Sequence, residues 1–390
     1  MDTNLSDGIS LAAGPLLVAA QTDEPFLVSL SALLQWLPPL LLGPYAGALT
    51  DRLDRRLLVV WADLARAVVL GLIAAAILGQ VVSIGLVLAA LFVLGTAETL
   101  ADNASSALLP MIVAREDLAV ANSRLLAGFI TINQLVGPPI GAALFVIGTS
   151  IPFFTQAILV LMGALLVSRL GTSRSQRGDE DPKPIHRDIA EGFRWALRHA
   201  AVRTLVLTIL TFNITFGAAW SVLVLYATDR LGLGEVGFGL VTSAGALGGL
   251  AGTLPYDWIT RRVSLGNIMR AGLVIETLTH LGLAVTTTPG VALAIFFVFG
   301  AHAFIWGTTS ITIRQRVVPI ALQGRVGSVN LVGSFGGLVV GSAIGGVIAQ
   351  IYGLAAPFWF AFGGSAIFLG LIWSQLSHIS YADEKPAPML

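Results

Sequence analysis

Gly47-Ala48-Leu49-Thr50-Asp51-Arg52-Leu53-Asp54-Arg55-Arg56 is a short knot of charge between two long apolar stretches. A weaker copy returns as Asp257-Trp258-Ile259-Thr260-Arg261-Arg262. A charged turn joining two membrane helices, present once in each half of the chain, predicts a duplicated membrane protein. The composition agrees. Hydrophobic residues make up 55% of the 390 residues and charged residues only 11%, where a soluble domain carries about 25% charged. So little charge cannot cover a water-facing surface. Apolar runs of roughly 20 residues recur along the chain, the length a membrane helix needs. Lipid forces backbone groups to pair internally, which leaves helices or a closed barrel. The runs are too long and too uniformly apolar for barrel strands, which are about 10 residues of alternating pattern. The chain has no cysteine, which excludes disulfides and thiolate metal sites.

Working outward from the turn, spans are expected near 5–20, 25–49, 57–78, 82–107, 124–147 and 152–170. A polar segment follows at 171–184, and then an amphipathic surface helix at 185–200 with Ile189, Phe193 and Leu197 on one face. The second set falls near 202–226, 237–259, 264–285, 290–313, 326–351 and 355–376, before a polar tail at 377–390. The fold class is therefore all-α membrane protein, with a six-helix half at 1–170, a linker at 171–200 and a second six-helix half at 201–376.

Orientation follows from the basic residues. Of the 22 Lys and Arg, 20 fall in alternate turns, the central linker and the tail, leaving Arg66 inside the third span and Arg230 on the opposite side. By the positive-inside rule the charged turns, linker and C-terminus are cytoplasmic. The localisation expected is the cell membrane, multi-pass. The first span is anomalous: 5–20 reaches only about 24 Å at 1.5 Å per residue, short of the roughly 30 Å hydrocarbon core. An upstream start and a first helix truncated by about half are expected.

The two charged turns and the six-plus-six layout resemble the major facilitator superfamily. Gly47, Asp51, Arg52, Arg55 and Arg56 match that family's signature after its second helix; Asp54 stands where the family usually has Gly. The second copy keeps Asp257, Arg261 and Arg262 but has Thr253 at the first Gly position. Gly137-Pro138-Pro139-Ile140-Gly141, with Gly128 nine residues before, is similar to the family's antiporter motif. The stretch GTAETLADNASSALLPMIVAREDLAVANSR at 95–124 and Glu191-Gly192-Phe193-Arg194-Trp195 resemble its multidrug, macrolide and enterobactin exporter group. The resemblance implies a twelve-helix bundle and a cytoplasmic gate at the charged turn, its Asp meeting a helix N-terminus of the other half and its Arg a carboxylate on the fourth helix.

Several residues are candidates for the work. Asp102, near the cytoplasmic end of the fourth span, is expected to meet Arg55 or Arg56. Glu98 lies one turn deeper on the same face. An intramembrane carboxyl is costly when ionised and unpaired, so Glu98 marks function by default and could load and release a proton; a static partner for Arg66 is the competing reading. Asp63 and Arg66 are three apart and can pair, either as a structural ion pair or as part of coupling. Asp7 holds a first-helix position where several family antiporters carry an acid, which makes it a candidate for proton or cation binding; otherwise it reads as an N-cap or frayed terminus. Gln35, Trp36, Asn133, Gln134, Asn213, Trp220 and Trp306 could line a substrate cavity, or serve as packing and interfacial anchors. Glu276 with His280, and His302 with Trp306, are each one turn apart; the histidines read as hydrogen-bonded packing residues.

The 43 glycines form no phosphate-binding loop, since none leads into Gly-Lys-Ser/Thr. Instead Gly333, Gly337, Gly341 and Gly345 recur every fourth residue, as do Gly245 with Gly249 and Gly248 with Gly252. Small faces allow close helix approach, and the resemblance implies that such faces lie between the two halves. No nucleophile–His–Asp set stands out, so an enzyme is not expected, nor is a cofactor or a nucleic-acid partner. The expected function is proton-coupled export of hydrophobic or amphiphilic small molecules by a monomer. The alternatives are a nutrient importer or uniporter, and a non-transporting sensor or inactive paralogue.

Overall fold

The computed structural model describes residues 2–170 and 185–376. Every regular element among them is helical. In chain order these are α1 (Asp2–Ala19), α2 (Pro25–Arg52), α3 (Arg55–Leu78), α4 (Ile84–Ile112), α5 (Leu118–Gly128), α6 (Gly137–Ile147) and α7 (Ile151–Ser168). Beyond residue 184 come the linker helix α8 (Ile185–Arg198), then α9 (Ala200–Trp220), α10 (Leu223–Leu225), α11 (Gly234–Thr253), α12 (Tyr256–Thr260), α13 (Leu265–Val285), α14 (Pro289–Val317), α15 (Gln323–Tyr352) and α16 (Ala356–Ile372). Among the described residues, 10 helices are long and apolar enough to cross a membrane, and they coincide with the second to eleventh expected spans. The first and twelfth are α1, 18 residues long, and the apolar α16, 17 residues long.

Capping sets the helix boundaries. Asp54 breaks the charged turn: its carboxylate accepts from Arg56 N at 3.0 Å and Leu57 N at 3.2 Å, which satisfies two orphan donors at the start of α3. That accounts for an Asp where a Gly is usual. Ser83 caps α4 and Ser264 caps α13 in the same way, each at 3.3 Å. Gly353, with φ of 86°, ends α15 in a conformation that favours glycine.

The chain forms two compact units, one of Met1–Ile185 with Leu223–Ser243, the other of His186–Val222 with Ala244–Leu390. In the first, α3 packs on α4 and α7, α2 on α4, and α1 on α6 and α7. In the second, α15 packs along α9, and α13 lies against α14 and α16. Its core gathers Leu205, Ile209, Phe212, Met269, Leu273 and Ile313.

The glycine stripes have a different use from the one expected. A Cβ at Gly337 would stand 2.6 Å from Leu210 O, and one at Gly345 2.6 Å from Ala218 Cα, so this face of α15 seats α9 within the second unit. Gly252 likewise meets Ala301 of α14, where a Cβ would lie 2.6 Å from the carbonyl oxygen. Without a hydrophobic drive between helices in lipid, close backbone packing is what holds such pairs together.

Candidate functional site

The first unit holds a buried acidic cluster around one cation. Arg66 on α3 is 7% exposed at its side chain; its Nη1 donates to Asp63 Oδ1 at 3.2 Å, and its Nη2 donates to Asp7 Oδ1 of α1 in a second ion pair. Asp63 is 2% exposed and Asp7 14%. Arg66 suits this role because its planar fork can hold two carboxylates at once. Glu98 of α4, half-buried, lies within electrostatic reach of Asp7, Arg66, Asp102 and Asp63. Asp102, one turn on and exposed, is within reach of Asp7, Arg66 and Asp63. Two carboxyl groups thus bind one guanidinium, with Glu98 and the exposed Asp102 within its electrostatic reach.

Asp102 therefore lies with the cluster, and among the described residues it does not pair with Arg55 or Arg56. Both arginines bind helix ends instead. Arg55 Nη1 donates to Ala107 O at 3.3 Å near the C-terminus of α4, and Arg56 Nη1 donates to Leu170 O at 2.7 Å just past α7. Cations are favoured near a helix C-terminus by the helix dipole. Gly47, Asp51 and Arg52 lie in the last turns of α2, and their side chains fall outside the described residues. In the second copy, Arg261 pairs with Asp257 at 2.8 Å within one helical turn, both 74% exposed. Arg262 sits over the Trp258 ring at 4.6 Å.

The Gly-Pro motif reshapes its helix. Gly128 ends α5, and a π-helical stretch, Phe129–Val136, carries the chain into α6, with Gly137 N donating to Ile132 O. Pro138 and Pro139 have no N–H for the carbonyls of Gln134 and Leu135, four residues earlier. Ser243 Oγ of α11 supplies one replacement, donating to Leu135 O at 2.7 Å. Gly137 also lets α1 close in, since a Cβ there would stand 2.7 Å from Gly8 C. Asn133, 6% exposed, is held in the π stretch beside Gln134. Gln35 and Trp36 lie half-buried on α2.

The second unit brings Asn213 and Trp306 together at a cavity of about 180 Å³, with Phe216, Glu276, Phe299 and His302. Trp220 stacks on Phe216, with ring centroids 4.2 Å apart, and leans on Phe299 at 4.8 Å. Phe299 and Glu276 were not singled out as cavity residues from the sequence; the signal available for Glu276 was a carboxyl inside an apolar span, and Phe299 carried none. The histidines differ from expectation. Among the described residues, no ring nitrogen of His280 or His302 has a hydrogen-bond partner, and neither does Trp306 Nε1.

This is the architecture of a multi-pass helical membrane protein. The chain belongs to the Major Facilitator Superfamily, whose sequence pattern matches residues 3–338, and is thus a transporter, not an enzyme. It is similar to the multidrug efflux pump Tap of Mycolicibacterium fortuitum, 29% identical over 98% of this chain and 95% of that one. The multidrug resistance protein MdtG of Proteus mirabilis is 24% identical over 86% of this chain and 81% of its own. Among solved structures, a bacterial homologue of the iron transporter ferroportin in an inward-facing state superposes with a TM-score of 0.70. It is 18% identical and covers 96% of this chain and 95% of its own. The nucleoside transporter NupG gives 0.67 at 13%, covering 98% of both chains. At those identities the structural likeness concerns the fold alone.

Proposed function

We propose that the chain exports hydrophobic or amphiphilic small molecules across the cytoplasmic membrane by alternating access, driven by inward proton movement. The observation that carries this reading is the excess of carboxyl groups around Arg66 inside the bilayer. One guanidinium cannot neutralise Asp7, Asp63 and Glu98 together, and an uncompensated charge in the membrane is costly. A proton arriving from outside removes one of those charges. Glu98 or Asp7 is the carrier in this account, and Asp63 with Arg66 is the fixed pair that positions it. Proton loading favours substrate release outside, and proton loss to the cytoplasm resets the site. The similarity to proteins named as multidrug efflux pumps supports the direction and the breadth of cargo.

The turn around Asp51, Arg52, Arg55 and Arg56 acts as the cytoplasmic gate, with Gly47 giving it room and Asp257, Arg261 and Arg262 as the second copy. Charge-assisted hydrogen bonds on helix ends, worth about 0.3–1 kcal/mol when exposed, are weak enough to break in every cycle. The charged turns and the C-terminus face the cytoplasm, and the monomer is the working unit. Gly128, Gly137, Pro138 and Gly141 keep the fifth span compliant, and Gln35, Trp36, Asn133 and Gln134 face the path of the cargo.

The test uses proteoliposomes loaded with a lipophilic fluorescent dye. An imposed inward proton gradient should accelerate dye efflux severalfold over protein-free vesicles. Dye movement that ignores the gradient, with correct folding verified, contradicts proton-driven export.

A further inference from the structure

The linker helix α8 meets a membrane helix at a corner. It ends at Arg198, and α9, long and apolar enough to cross a membrane, begins at Ala200. His199 between them has extended backbone, with φ of −90° and ψ of 112°, so the chain turns instead of running one helix into lipid. The Trp195 ring stacks on the His199 ring, with centroids 5.1 Å apart, and braces the turn. The C-terminal end of α8 therefore lies at the membrane boundary.

At about 100° per residue, α8 presents distinct faces. Gly192 and Ala196 form the seat: Gly192 abuts Arg325 O, and Ala196 is buried with Val202, Val318, Val326 and Val329. The opposite face carries Arg194 and Arg198, both exposed. Neither has a hydrogen-bond or ion-pair partner among the described residues. Leu197 lies beside them, 51% exposed. Arg203 of α9, also exposed, reaches back to the same edge, its Nη1 donating to Leu197 O at 3.4 Å. The carboxylate of Glu191 is already engaged by Arg325 at 2.9 Å. Three guanidinium groups thus surround one bare apolar side chain. A free phosphate or a nucleic acid would answer the charge and leave Leu197 in water. A phospholipid offers a phosphate and an acyl chain side by side, and the arginine fork matches phosphate oxygens.

We propose that the corner between α8 and α9 binds an anionic phospholipid of the leaflet next to the linker. Arg194, Arg198 and Arg203 hold its phosphate, and Leu197 lies against its acyl chain. Basic side chains gain free energy near an anionic leaflet and lose it as salt screens them. Because α8 is seated on the start of α15, the bound lipid steadies the linker helix on the second unit. The site is independent of the cargo and of the proton, and it stands whether or not the chain exports.

The experiment titrates the purified full chain with phosphatidylglycerol, and in parallel with phosphatidylcholine, and counts retained lipids by native mass spectrometry. The wild type should prefer phosphatidylglycerol. Arg198→Gln should weaken that binding about 5-fold, and the triple variant Arg194→Gln/Arg198→Gln/Arg203→Gln should lose the preference. Leu197→Ser should weaken the binding of both lipids and keep the preference. Arg124→Gln/Arg169→Gln, which removes two exposed arginines elsewhere, should bind as the wild type does. In nanodiscs of phosphatidylcholine, adding phosphatidylglycerol should slow hydrogen exchange across residues 185–198 in the wild type and not in the triple variant. An unchanged preference in the triple variant overturns the proposal. An equal loss in the Arg124/Arg169 variant also overturns it, because surface charge in general would then be the cause. Displacement of the lipid by inorganic phosphate alone would make this a free-anion site and overturn the lipid assignment. If the triple variant does not fold, Arg198→Gln decides the matter on the same titration.

Discussion

Arg66 of α3 holds Asp7 of α1 in an ion pair that ties together helices whose partners are 59 residues apart in sequence. The same guanidinium also holds Asp63, so its loss leaves two buried carboxyl groups without a cation. Removing one partner of a buried pair costs about 3–5 kcal/mol. Arg66→Met is therefore expected to lower the thermal unfolding midpoint in detergent well below that of Asp7→Asn, which leaves Arg66 with Asp63. Equal midpoints for the two variants would show that Arg66 is not the hub of the cluster.

Ser243 and Pro139 make a second testable pair. Ser243 Oγ serves the Leu135 carbonyl that Pro139 leaves without its helical donor. Ser243→Ala should destabilise by about 1–3 kcal/mol, the cost of a buried acceptor left unsatisfied. Pro139→Ala restores an N–H, so the Ser243→Ala penalty should shrink in that background. A double-mutant cycle on unfolding midpoints checks this, and strict additivity would dissociate the two residues.

The glycine stripe of α15 can be graded residue by residue. At Gly337 a Cβ would stand 2.6 Å from Leu210 O, whereas at Gly333 its nearest neighbour, Val206 O, is 3.7 Å away. Gly337→Ala should cost about 1–3 kcal/mol through forced separation of α9 and α15, and Gly333→Ala should be neutral within measurement. Similar losses at both positions would count against close packing as the reason for the glycines.

The linker helix is seated on the second unit by Gly192 more than by charge. Glu191 pairs with Arg325 at 2.9 Å but is 50% exposed, so solvent screens that pair. A Cβ at Gly192 would stand 2.6 Å from Arg325 O. Gly192→Ala should raise hydrogen exchange across α8 strongly, and Glu191→Gln only slightly. The reverse order would make the ion pair the main clamp.

Much of the fold was legible in the sequence because lipid allows few structures. Apolar length marked the spans, and the alternation of Lys and Arg set their count. The helix starts at Asp54 and Ser83 follow from local capping chemistry. The candidate site was legible only in part. Spacing along one helix revealed Asp63 with Arg66 and Glu98 with Asp102, but it could not show that Asp7 closes on Arg66 across helices. Asp102 was expected to meet Arg55 or Arg56, and instead Arg55 binds the Ala107 carbonyl, a backbone acceptor that no side-chain pattern announces. The glycines of α15 were visible as a stripe, but periodicity does not say which helix a stripe faces. Glu276 gained meaning only when α9 and α14 brought Phe216, Phe299 and Trp306 around it.

The most direct test of proton coupling compares two modes of transport in one variant. Glu98→Gln proteoliposomes would be assayed for dye efflux under an imposed pH gradient, and for exchange of dye against dye with no gradient. The account predicts that exchange survives while gradient-driven efflux is lost, with Asp7→Asn as the parallel case should Asp7 be the carrier. Gradient-driven efflux at the wild-type rate in both variants would contradict it.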